Sequence, residues 1–159
     1  ETDPEDMAFL GLSARMSELH AAVGLLSVRK IDNLVKARLD RITVYRERLG
    51  RLPGCWVQEF PVERTTSGNY FVLFITERAR KSRDQVYEAL KKQGIQTKRY
   101  FYPPVHLQTI FKHYSMRVSN RMANTEKASA EGLALPLYSH MTGEQQERVC
   151  RAVEALLAT

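Results

Sequence analysis

The stretch YFVLFITERARKSRDQVYEALKKQGIQTKRY, residues 70–100, decides the fold. Its first six residues form an unbroken apolar run of aromatic and β-branched side chains, the composition of a buried strand. Ser82-Arg83-Asp84-Gln85 then sets a hydroxyl three residues ahead of an amide, a capping box that opens a helix with Val86, Ala89 and Leu90 on its apolar side. Gly94 stands where a helix end takes a left-handed residue, and Ile95–Tyr100 alternates as a strand. The stretch therefore reads strand, helix, strand.

Working outward, Trp56–Phe60 alternates apolar and polar residues and supplies a further strand. The order strand, strand, helix, strand implies a small mixed or antiparallel sheet covered by helices, an α/β chain with an α+β small domain. Ahead of it, Ile31, Leu34, Val35, Ile42, Tyr45, Leu49 and Leu52 recur at spacings of three and four until Pro53-Gly54, giving the longest helix. The charged residues between them are its solvated face. Further out, Ser13 to Lys30 places Met16, Leu19, His20, Val23 and Leu26 at helical spacing, while Ala21, Ala22 and Gly24 keep the other faces small.

On the other side, Tyr102-Pro103-Pro104 forces a turn, because two prolines remove consecutive donors and fix φ. A short helix around Leu107–Tyr114, another after Asn124, the apolar run LALPLY at 133–138 and a final helix opened by Thr142-Gly143-Glu144-Gln145 follow. Val149, Val153 and Leu156 form the buried stripe of that last helix.

Composition bounds the class. With 159 residues, 43% of them hydrophobic and 26% charged, the chain has the balance of one globular domain. Its longest uncharged apolar stretch, Leu19–Val28, is too short to span a bilayer, so no membrane anchor is expected. Cys55 and Cys150 stand far apart with no CxxC pattern, as in a reduced cytoplasmic protein, and read as small buried hydrophobes. The opening ETDPED is neither a signal nor a transit sequence and suggests a piece of a longer chain. The net charge of +6 is unevenly spread: residues 78–121 hold eleven Lys or Arg against Asp84 and Glu88, and the remainder is slightly acidic. An anionic partner belongs at that segment.

No P-loop, GxGxxG, HExxH or GxSxG motif is present, and His20, His106, His113 and His140 are scattered without metal spacing. What remains is an anion-facing loop: Lys98, Arg99, Tyr100 and Tyr102 at a strand end, with His106 beyond the prolines. Cations and phenols in a stiff turn suit phosphates and a ring hydroxyl. The same residues could simply solvate a surface strand. No RNP-like strand or helix-turn-helix pattern accompanies the basic segment, which argues against nucleic acid.

Several ordered segments resemble a known family. GLSARMSELHAAVGLLSVRKID, residues 11–32, resembles the G-x-N-x-R-M-x-E-x-x-A-A-x-G-L segment of the pyridoxal-phosphate-dependent sugar aminotransferases of the DegT/DnrJ/StrS group. NYFVLFIT, RDQVYEALKKQGIQTKRYFYPPVHLQ with its "GI-x-T-x-x-Y" strand and "Y-x-P-x-H" loop, and ALPLYSHMT continue the likeness across nearly the whole chain.

The resemblance implies the C-terminal portion of a fold-type I aminotransferase. Residues 1–30 would end the large cofactor domain and supply a dimer-contact helix. Residues 31–159 would form the interdomain helix and the small domain. The parent would transfer an amino group, commonly from glutamate, to a nucleotide-linked keto sugar. In that family Ser13 and Arg15 would reach the cofactor phosphate of the neighbouring subunit in a homodimer, with Ser13 standing where the family has Asn. Lys98 and Arg99 would serve the substrate pyrophosphate, and Tyr100, Tyr102 and His106 would line the substrate loop, none with a proton-transfer role. The Schiff-base lysine, the aspartate on the pyridine nitrogen and the stacking aromatic all lie upstream of the G-x-N-x-R-M segment. The chain alone is therefore expected to hold no cofactor and to be inactive. A second reading is a non-catalytic nucleotide-sugar-binding or protein-interaction domain, or a regulatory relative of the family.

Overall fold

The computed structural model describes residues 14–60, 64–113 and 122–158. The chain divides into two compact units, Glu1–Asn33 and Leu34–Thr159.

In the first unit, α1 (Glu18–Arg29) starts four residues after the described backbone does. The Ser17 side chain caps it by accepting from the His20 backbone N–H at 3.4 Å, so the helix begins later than the apolar spacing alone suggests. None of its residues is buried. Ser13, Gly11 and the rest of the resembling N-terminal motif before Ala14 lie outside the described residues.

The second unit is built on a four-stranded antiparallel sheet, β1 (Cys55–Val57), β2 (Phe71–Ile75), β3 (Lys98–Arg99) and β4 (Gly132–Leu135), in the order β1-β2-β4-β3. Helix α2 (Ile31–Leu49) from Leu34 onward, with α3 (Arg83–Lys92), α4 (Ala123–Glu131) and α5 (Gly143–Leu157), completes it. Phe71, Leu73 and Ile75 point from one face of β2 into the core, where they meet Leu133 and Leu135, Ile42, Tyr45 and Leu49 of α2, Val86 and Leu90 of α3, and Val149, Val153 and Leu157 of α5. Each such side chain gains roughly 1.5–3 kcal/mol on full burial. Tyr45 lies within this core, stacked on Phe71 at 4.9 Å, and satisfies its hydroxyl by donating to the Pro136 carbonyl at 2.9 Å.

Both capping boxes are formed: Ser82 and Gln85 start α3, and Thr142 and Gln145 start α5. Gly94 follows α3 with φ +71°. This is the left-handed conformation that lets a chain leave a helix sharply.

Three sequence expectations are shortened. The strand at Ile95–Tyr100 reduces to Lys98–Arg99, because its partner β4 begins at Gly132 directly out of α4 and Pro136, which has no donor, follows its end. The strand at Trp56–Phe60 ends at Val57, since the Gln58 carbonyl accepts from Arg46 Nη2 at 3.0 Å instead of joining β2. The expected helix at 107–114 is two short 3-10 turns, Val105–Leu107 and Thr109–His113, and Tyr114 lies outside the described residues.

Candidate functional site

The second face of the sheet carries aromatic side chains. Trp56 and Phe74 are cross-strand partners and stack with centroids 3.9 Å apart and planes 7° from parallel. The row continues with Tyr70, just ahead of β2, and with Tyr100 and Phe101, which follow β3, at 5.1 Å from Tyr70 to Tyr100 and 4.3 Å from Tyr100 to Phe101. Phe74, Tyr100, Phe101, Pro104 and Val105 face Asn124, Thr125, Ala128 and Ser129 of α4 across an open, mainly apolar cleft of about 480 Å³. The chain turns at the prolines, where Tyr102–Pro103 is a cis peptide and Pro104 is buried.

Every residue from Arg99 to Tyr102 is tied to a different group. Arg99 Nε donates to Asp84 Oδ1 at 2.8 Å, its Nη2 lies 3.8 Å from Glu88, and its guanidinium covers the Tyr87 ring at 4.4 Å. The Tyr100 N–H donates to the Gly132 carbonyl at 3.1 Å. The Phe101 carbonyl accepts from the Ser129 hydroxyl. The Tyr102 ring lies over the guanidinium of Arg83 at 4.8 Å.

Lys98 is exposed on the edge strand, its ammonium 4.9 Å above the Phe101 ring. It is also on the rim of a second open cleft of about 600 Å³, whose polar lining includes Asn69, Gln96, Thr97, Gln145 and Arg148. His106 lies beyond the prolines with Nε2 3.1 Å from Glu126 of α4. Five of the residues expected at a substrate loop, Lys98, Arg99, Tyr100, Tyr102 and His106, thus belong to one turn braced by α3, α4 and β4. Arg99 spends much of its charge on Asp84 and Glu88, whereas Lys98 is in no ion pair among the described residues.

In the sequence Arg83 reads only as one of the basic residues and as part of a capping box. The structure places it at 4% exposure, with Nη1 donating to the carbonyls of Ser129 at 3.0 Å and Gly132 at 3.2 Å. A signal was present. A cation in the first turn of a helix works against the helix dipole, so it needs a purpose elsewhere.

Arg15 belongs to the first unit and is exposed. A guanidinium open to solvent matches the phosphate of pyridoxal phosphate in charge and in its forked donors. The other groups that the cofactor requires are, by the resemblance, upstream residues. The described donor set therefore fits the phosphate end alone. Among the described residues no cluster of three or more His, Cys, Asp or Glu could hold a metal ion, and no helix is long and apolar enough to cross a membrane.

Comparison with known proteins places this geometry. The profile of the DegT/DnrJ/EryC1/StrS aminotransferase family matches residues 2–154. The dTDP-4-amino-4,6-dideoxy-D-glucose transaminase of Escherichia coli is 30% identical over 136 residues, 84% of this chain and 36% of that enzyme. A pleiotropic regulatory protein of Geobacillus stearothermophilus is 30% identical over 145 residues, 91% of this chain and 38% of that protein. Among solved structures, DesI in the presence of its TDP-sugar product superposes with a TM-score of 0.78 at 28% identity, covering 88% of this chain and 35% of that one. The chain thus spans little more than a third of the relatives' length. From these matches and the sheet and helices they overlie, the chain belongs to the DegT/DnrJ/EryC1/StrS aminotransferase family.

Proposed function

We propose that this chain is the C-terminal part of an aminotransferase that moves an amino group, from glutamate, onto a keto sugar carried by a nucleotide, in the cytoplasm and as a homodimer. The observation that carries the reading is the braced turn at Lys98–His106, found in a family member whose relatives include a dTDP-sugar transaminase. Its cation and phenols suit a nucleotide's phosphates and a sugar's hydroxyls. The matched family is one of aminotransferases, and the resemblance of the sequence motifs implies pyridoxal phosphate as the cofactor.

Pyridoxal phosphate, when bound, supplies the electron sink of the reaction. Arg15 and Ser13 would contribute to holding its phosphate in a neighbouring subunit. Lys98, with Arg99 in support, would meet the substrate's pyrophosphate. Tyr100, Tyr102 and His106 would orient the sugar, and none of them moves a proton. The division of labour would follow residues 1–30 as the end of a cofactor domain and 31–159 as interdomain helix and small domain.

The chain by itself is inert in this reading. Mixed with pyridoxal phosphate, it should develop no absorbance band of lysine-bound cofactor and no transamination, while still binding a nucleoside diphosphate. Cofactor-dependent turnover by the 159-residue chain would overturn its inertness, and failure of Lys98→Ala to weaken nucleotide binding would overturn the site. The likeness to a pleiotropic regulatory protein supports one alternative, a regulatory relative that binds without transferring. Full-length protein that binds the nucleotide sugar but shows no amino transfer would favour it.

A further inference from the structure

We propose that Arg83 is a positioning residue that sets the geometry of the aromatic turn at Tyr100–Tyr102 from beneath. The consequence for ligand binding rests on the substrate reading above, whereas the positioning itself stands on geometry.

Burying a guanidinium is costly unless its donors are used, and the first turn of a helix is an unfavourable place for a cation. Arg83 is nevertheless almost completely buried at the first residue of α3. Its contacts explain why. Nη1 takes two carbonyls at once, Ser129 at the end of α4 and Gly132 at the start of β4. Nε lies 2.8 Å from Asp84 Oδ1, an ionic approach without hydrogen-bond alignment. The flat face supports Tyr102.

Each of these partners also holds the turn. Gly132, whose carbonyl Arg83 binds, accepts from Tyr100 N–H with the same oxygen. Ser129, whose carbonyl Arg83 binds, donates its hydroxyl to the Phe101 carbonyl. The Asp84 oxygen that faces Arg83 Nε is the one that holds Arg99. One planar side chain therefore joins the supports of four consecutive residues. Lysine could keep the charge but could not span two carbonyls and present a flat face to a ring.

The experiment is a double-mutant cycle between Arg83 and Tyr102 in the 159-residue chain. It is read by thermal midpoint, by affinity for thymidine diphosphate, and by the backbone amide chemical shifts of residues 100–102 in the ligand-free protein. Arg83→Met is expected to move those shifts and to weaken binding about tenfold, the loss that follows when a side chain or two must be ordered at binding. Arg83→Lys should recover thermal stability but not affinity, which a merely structural role would not produce. Tyr102→Leu should weaken binding similarly, and the two losses should not add.

Unmoved amide shifts in a folded Arg83→Met protein overturn the proposal. If the wild type does not bind thymidine diphosphate but the shifts move, the substrate reading fails and the positioning role stands. Should Arg83→Met fail to fold, Arg83→Lys decides: the proposal requires it to move the amide shifts of residues 100–102, because lysine cannot span both carbonyls and support the Tyr102 ring, and unmoved shifts in the folded variant overturn it.

Discussion

Tyr100 and Gly132 meet backbone to backbone, with no room for a side chain at position 132. The Tyr100 N–H donates to the Gly132 carbonyl at 3.1 Å, and a Cβ at position 132 would stand 2.8 Å from the Tyr100 carbonyl oxygen and 2.9 Å from that of Ala128. Neither obstacle is a side-chain tip that can swing away. Gly132→Ala is expected to cost about 1–3 kcal/mol, the range for forcing an extra methyl into a filled space. Urea unfolding with an unchanged slope would measure it, and a midpoint equal to that of the wild type would refute the close approach.

The acid sensitivity of the second unit should pass partly through Glu147. Arg151 Nε donates to it at 2.6 Å, Arg48 binds it from α2, and Arg48 also holds Glu154 at 2.6 Å. The bond from Arg151, followed by that from Arg48, holds the Glu147 carboxyl below its ordinary 4.5. A carboxylate lowered by folding binds its proton less readily in the native state, so its contribution is present above about pH 4.5 and is lost as pH falls. Glu147→Gln should lower the thermal midpoint slightly near neutrality, where that contribution is present, and flatten its decline as the pH falls, so that the two proteins converge in acid. A decline as steep as that of the wild type would count against it.

The two thiols should be slow to react. Burial pushes both Cys55 and Cys150 up to about 11, leaving little thiolate at neutral pH. Cys150 is fully buried and Cys55 half-buried. With a chromogenic disulfide reagent at neutral pH, Cys55 should label slowly and Cys150 only when denaturant unfolds the chain. Two rapid equivalents under native conditions would contradict the packing of α5.

Helix α1 should drive association between copies. Leu19 is 74% exposed, Val23 57% and Leu26 56%, so the stripe that helical spacing picks out has no cover within a single described chain. An apolar face of this kind is a contact waiting for a surface. Leu19→Lys with Leu26→Lys should reduce concentration-dependent self-association in sedimentation velocity. A wild-type chain that stays monomeric at every concentration tested would remove the reason for the prediction.

What the sequence made legible was local chemistry. The capping boxes at Ser82 and Thr142 and the turn at Gly94 depend on neighbours within a few residues, and all three formed as read. The core strand at Phe71–Ile75 was equally clear, because an apolar run admits few other fates. Strand ends were not, since the length of β3 depends on where β4 begins thirty-odd residues later and that of β1 on a carbonyl taken by Arg46. The candidate turn could be pointed to from Lys98, Tyr100 and the prolines. Its supports could not, because Arg83, Ser129 and Gly132 come together only through tertiary contacts.

Helix α4 passes into β4 without an intervening residue, Glu131 ending one and Gly132 starting the other. A junction with no slack leaves α4 unable to slide along its axis without shearing the ladder that joins Gly132 to Phe74 in the middle of the sheet. Since Ser129 and Gly132 sit on either side of that junction and both grip the turn, the turn is in mechanical series with the centre of the sheet. It is an anvil and not a jaw. Any closing motion that traps a ligand there must be supplied by whatever surface comes down onto it.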